Sequence, residues 1–277
     1  MTYITWIYTI ITYLTTWGII IPFYLLYKKG TININELNLI YNFGALGPLI
    51  GALICSWKFY GKRRISVLFS SFQIKTINKK TLFLALSPLA FFAIGLIVYP
   101  ILSGHWFSFE ETKRQYKLTD SLSYVCWILP FITYSLLEEF GWRGFLLPHL
   151  QEKHSAFKAT LILTVIWACW HLPFFLWRFQ FSPLISIGFF FSIFIGAIII
   201  TSIFNSSKGN ITAVILFHLS NNISSALDKE YIVAIASAGF IFLAVYIIKK
   251  LKSENLSNLS KVKWDDLIKQ KDLSVLI

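Results

Sequence analysis

The stretch Leu136-Leu137-Glu138-Glu139-Phe140-Gly141-Trp142-Arg143-Gly144 sets two adjacent carboxylates and a guanidinium inside an otherwise apolar run. In hydrocarbon surroundings such groups cost at least about 2.5–3.5 kcal/mol each, so they are rare there and usually serve a function. Arg143 follows Glu139 by four residues, the spacing that pairs side chains on one helix face. Glu138 lies about 100° away around the same helix, so it points elsewhere without that partner. Two further apolar runs carry imidazoles: Trp167-Ala168-Cys169-Trp170-His171-Leu172-Pro173 and Phe217-His218-Leu219-Ser220-Asn221-Asn222. His218 and Asn222 are also four apart and share a face.

The chemistry open to these groups is hydrolysis. A carboxylate in apolar surroundings is a stronger base than one in water. Glu138 would take a proton from water, with His171 sharing or orienting it. His218 and Asn222 would donate hydrogen bonds to the oxyanion formed when water attacks a carbonyl. Alternatively, Glu138, His171 and His218 would hold zinc, with water as its fourth ligand. Each residue also has a plainer role: Glu139 with Arg143 reads as a structural ion pair, and the histidines and Asn222 as groups that bridge helices. It is their joint presence on three apolar runs that favours a site.

The elements that must position these groups are membrane helices. Of 277 residues, 56% are hydrophobic and only 14% charged, against about 25% charged in a soluble domain. Apolar runs near the length of about 20 residues needed to span a bilayer occur at roughly 6–27, 38–58, 82–103, 122–147, 158–178, 183–204, 210–226 and 230–248. The expected fold is therefore an all-α polytopic bundle of about eight spans. It forms one membrane domain over 1–250, followed by a basic cytoplasmic tail over 251–277, solvated or lying on the membrane surface. The run from Trp6 to Tyr27 reads as an uncleaved first span.

The net charge of +12 reads as topology and attraction to anionic lipid, with no nucleic-acid partner. With the N-terminus in the cytoplasm, 17 Lys and Arg fall in inner segments and 7 in outer ones, Arg143 aside. That bias requires an even number of spans and puts both termini in the cytoplasm. Cys55, Cys126 and Cys169 have no metal-ligand spacing and read as small hydrophobes. Counting rise along each span from its cytoplasmic end puts Glu138 about 13 Å deep, His171 about 20 Å and His218 about 12 Å. All three thus reach the middle of a core about 30 Å thick.

Glu138-Glu139-x-x-x-Arg143, an aromatic-x-x-x-His ending at His171, and His218-x-x-x-Asn222 follow one another on successive apolar segments. In this order they resemble the three motifs of the CAAX protease and bacteriocin-processing enzymes. This family of intramembrane proteases, also called the Abi family, includes the type II CAAX prenyl endopeptidases. The resemblance covers about 122–225. It implies that Glu138 and His171 activate water, that His218 and Asn222 stabilise the oxyanion, and that Glu139 and Arg143 support the site. It leaves glutamate-dependent and zinc-dependent hydrolysis both open. The second motif usually has phenylalanine where this chain has Trp167.

The resemblance implies an endopeptidase acting on a membrane-associated peptide or protein, in bacteriocin maturation or self-immunity, and a composition rich in Ile, Asn and Lys suggests a bacterial cell membrane. The sequence leaves two other classes open: a non-catalytic scaffold or immunity protein on the same fold, and a proton-coupled transporter, for which no inverted repeat stands out. Haem held between His171 and His218 is a weaker fourth reading.

Overall fold

A computed structural model describes residues 2–73, 77–179, 182–227 and 230–274. Lys75 and Lys229, two of the counted charges, and the chain end 275–277 lie outside them. Among the described residues every regular element is helical. The helices are α1 (Tyr3–Lys28), α2 (Ile34–Gly44), α3 (Leu46–Tyr60), α4 (Ile65–Ser70), α5 (Lys79–Ala85), α6 (Ser87–Ser103), α7 (Phe109–Tyr116), α8 (Ser121–Gly141), α9 (Leu147–Gln151), α10 (Ala156–Trp170), α11 (Pro183–Ser206), α12 (Ile211–Leu227), α13 (Glu230–Lys250) and α14 (Trp264–Ser274).

Each expected apolar run is helical over most of its length. Six stretches are long and apolar enough to cross a membrane, and a seventh qualifies if α5 and α6, bent by 56°, count as one span. The remaining run, 210–226, is α12, with 17 residues. Its length of about 25 Å falls short of a core about 30 Å thick.

Local chemistry sets the helix ends. Asn33 and Asp120 open α2 and α8 with capping boxes, and Asn78 and Ser155 cap α5 and α10. Gly104, at φ +77, closes α6 in the left-handed conformation that glycine adopts without strain. The expected run 158–178 is helical only to Trp170 and then tightens into a 3-10 turn over Leu172–Leu176. Pro173, with no N–H to give, falls in that turn. His171 therefore sits at the end of a helix and not within one.

At the centre is α8, which packs against α2, α3 and α12. It leads through a π-helical turn, Trp142–Leu146, into α9. The approach to α3 is very close, since a Cβ on Gly141 would lie 2.4–2.5 Å from Pro48 Cβ and backbone atoms. Behind α10, α1 acts as a brace. Tyr13 Oη donates to the Ile166 carbonyl at 2.5 Å and Trp17 Nε1 to the Trp170 carbonyl at 3.1 Å. Trp170 Nε1 donates to Thr16 Oγ1 at 2.9 Å, and Thr16 passes its own proton to the Gly44 carbonyl at 2.7 Å. These bonds tie α1, α2 and α10 to one another, and α10 carries His171 at its end.

Candidate active site

The two acids of α8 part company, as their spacing predicts. Glu139, fully buried, accepts from Arg143 Nη1 at 3.0 and 3.1 Å, one turn further along. Its Oε1 also meets His218 Nδ1 on α12 at 2.7 Å. A carboxylate paired with arginine only accepts, so Nδ1 carries the proton in that bond. Nε2 of His218 makes no hydrogen bond among the described residues.

Glu138 turns to the other side and is only 1% exposed. Its Oε2 accepts from two indoles, Trp142 Nε1 at 2.9 Å and Trp167 Nε1 at 2.5 Å. Oε1 makes no hydrogen bond among the described residues. Neither indole was singled out from the sequence as a hydrogen-bond donor. The signal was present, because Trp142 lies four residues after Glu138, and indole N–H groups buried in apolar surroundings need acceptors.

His171 is held by the helix end. Its backbone N–H bonds to the Ala168 carbonyl at 3.1 Å, so the α-helical pairing with Trp167 is not made. The orphaned Trp167 carbonyl accepts from His171 Nδ1 at 2.7 Å instead. Since a carbonyl only accepts, Nδ1 carries the proton and Nε2 presents a lone pair. The rings of Trp170, Phe174 and Phe189 meet the imidazole edge to face at 4.9–5.8 Å.

Asn222 stands on the same face of α12 as His218, and both reach α8. As α12 runs from 218 to 222, the partners on α8 run back from Glu139 to Ser135, the pattern of two antiparallel helices. Asn222 Nδ2 donates to Ser135 Oγ at 3.1 Å and to the Phe131 carbonyl at 3.5 Å. It makes no direct bond to the acids or histidines. Glu138, Glu139, Arg143, His171 and His218 are linked through Trp167 or directly, whereas Asn222 joins through the α8 backbone and Ser135.

A catalytic zinc would need Glu138, His171 and His218 around one point. Among the described residues no three His, Cys, Asp or Glu side chains are gathered as metal ligands. Glu138 Oε2 is taken up by two indole N–H groups instead. The arrangement does not fit a three-ligand zinc set.

Residues 120–224, which contain all six of these residues, match the family model for type II CAAX prenyl endopeptidase Rce1-like proteins. The chain is 29% identical over 168 residues to CAAX prenyl protease 2 of Methanococcus maripaludis, covering 56% of this chain and 59% of that protein. It is 27% identical over 132 residues to lysostaphin resistance protein A of Staphylococcus haemolyticus, covering 47% of this chain and 34% of that one. The chain thus spans a little over half of one relative and a third of the other. With its apolar helices, these likenesses fit a multi-pass membrane protein, and over residues 120–224 the chain is similar to the type II CAAX prenyl endopeptidase Rce1-like proteins.

Proposed function

We propose that the protein is an intramembrane endopeptidase in which Glu138 is the base. The observation that carries this reading is the division of labour between adjacent acids. Glu139 is spent on Arg143 and His218. Glu138 is fixed through one oxygen by two donors that cannot accept, so its other oxygen is left for water. In the reaction, water attacks the scissile carbonyl and gives its proton to Glu138, with His171 Nε2 accepting the water's second hydrogen bond. Glu138 then passes the proton to the leaving amine, and the peptide C–N bond breaks.

Asn222 is the natural oxyanion donor, since the longer of its two N–H contacts, 3.5 Å to Phe131, is readily given up. His218 can donate from Nε2 only when both ring nitrogens carry protons, and the Glu139 carboxylate is then its counter-charge. The name of the archaeal relative, a CAAX prenyl protease, agrees with a peptidase acting on membrane-associated chains.

The test is cleavage of a membrane-peptide library by the detergent-purified protein beside Glu138→Gln and His171→Gln. Each variant is expected to lose at least about 100-fold in rate while keeping its melting temperature. Cleavage by Glu138→Gln at the wild-type rate would sink the reading. Parallel lanes with a zinc chelator separate a metal-free enzyme, which keeps its rate, from a metalloprotease.

A second reading, a non-catalytic resistance or immunity protein, draws on the name of the staphylococcal relative. Resistance conferred equally by wild type and Glu138→Gln would favour it.

A further inference from the structure

Trp167 touches four of the site's five ionisable groups. Its Nε1 donates to Glu138 Oε2 at 2.5 Å, and its carbonyl accepts from His171 Nδ1 at 2.7 Å. The Arg143 guanidinium lies 4.4 Å over its ring. The His218 imidazole meets it edge to face at 6.0 Å. The ring itself is only 6% exposed, so it is packed in place.

We propose that Trp167 is a positioning residue that sets Glu138 relative to His171, with Trp142 holding the same carboxylate oxygen from the π-helical turn that follows α8. This proposal rests on the peptidase reading above. One residue grips the acid with its side chain and the imidazole with its carbonyl, so the two proton-handling groups, which lie on different helices, share a single rigid support. The indole is also a donor with no acceptor capacity. Two such donors on Oε2 fix which carboxylate oxygen stays free, and thereby where the attacking water is held. Arg143, stacked on the indole face, keeps the ring from turning away, which connects the Glu139 ion pair to the placement of Glu138. A phenylalanine at this position would keep the ring and the carbonyl but have no N–H, so the grip on the acid depends on this tryptophan's indole.

Trp167→Phe removes the N–H and keeps the aromatic face and the backbone, so it isolates the proposed role. In the full-length detergent-purified protein it is expected to lower kcat by about tenfold or more, as losing a hydrogen bond to a charged group would. KM and the melting temperature should stay at wild-type values. An unchanged kcat, or a loss of kcat that tracks a fall in melting temperature, would overturn the proposal.

A second measurement does not depend on catalysis. In nitrogen-15 spectra of tryptophan-labelled protein, the indole signals of Trp142 and Trp167 are assigned by the two Trp→Phe variants. Both should move on Glu138→Ala, and the other eight of the ten tryptophans should move less. No movement at Trp167 would overturn the proposal whatever the enzyme cleaves. Movement in a protein that cleaves nothing would uphold the grip on Glu138 and count against the peptidase reading alone.

Discussion

Arg143 is a fully buried guanidinium whose Nη1 binds both oxygens of Glu139, while its Nε and Nη2 make no hydrogen bond among the described residues. Removing one member of a buried ion pair leaves the other charge stranded, at a cost of about 3–5 kcal/mol. Arg143→Met is therefore expected to destabilise strongly, with His218 left as the sole partner of Glu139. Adding Glu139→Gln should restore much of that loss, because the amide still accepts from His218 and no charge is stranded. Melting temperatures of the wild type, both single variants and the double in detergent give the coupling. Additive losses would show that the pair acts through something other than its charges. The half of this cluster that joins the end of α8 to the turn after it is legible in the sequence, since four-residue spacing predicts Glu139 with Arg143. The bond from His218 to Glu139 was not, because it joins positions 79 residues apart and no local rule reports a contact between helices.

The apolar runs placed the helices well, because a bilayer demands continuous internal hydrogen bonding and long apolar stretches. Where the helices break was less visible. Leu86 between α5 and α6, and Ala45 between α2 and α3, interrupt runs that read as continuous, since each is itself apolar. The tail was read as solvated or membrane-bound, yet Leu256, Val262, Trp264 and Leu267 are buried. Trp264 packs on His149 and Phe145, with ring centroids 4.7 and 5.3 Å away. The short stretch from Trp264 to Leu267 reads as amphipathic in the sequence and is helical, whereas Leu256 and Val262 are too isolated to stand out without their partners. Of the two glycines in Gly141-Trp142-Arg143-Gly144, Gly141 is the critical one. A methyl there would meet the Pro48 backbone, which cannot yield without moving α3, whereas at Gly144 it would meet the flexible tip of Ile211 at 2.8 Å. Gly141→Ala is expected to cost about 1–3 kcal/mol, as overpacking does, and to reduce activity because Glu138 rides on the same helix. Gly144→Ala should cost less, and thermal unfolding of the pair checks the order. A larger loss at Gly144 would mean that the α3–α8 approach is not the tight one.

At the scale of the whole molecule, the loops that charge assigns to one side of the membrane are joined by the tail. The Ala156 and Phe157 N–H groups bond to the Glu254 and Ser253 carbonyls at 2.8 and 3.0 Å. Gln151 Nε2 donates to the Val262 carbonyl at 2.7 Å, and Val262 N–H to Asn205 Oδ1 at 3.1 Å. Arg64 pairs with Asp272 at 2.6 Å. The start of the chain reaches the same end, since Tyr3 packs edge to face on Phe59, next to Tyr60, which contacts Trp264. Tyr3 and Asp272 therefore lie at one end of the bundle, as an even number of spans would place them. The surplus of Lys and Arg predicts that this end faces the cytoplasm. In a variant with Cys55, Cys126 and Cys169 replaced by alanine, Asn258→Cys tests the tail and Trp106→Cys the opposite end; both positions are exposed. A membrane-impermeant maleimide should label Trp106→Cys in intact cells and Asn258→Cys only after the membrane is opened. The reverse pattern would invert the protein and make its charge bias an exception to the rule. Labelling of both in intact cells would require an even number of crossings between them, which would mean that one helix after Trp106, the short α12 first among them, enters and leaves the bilayer on one side.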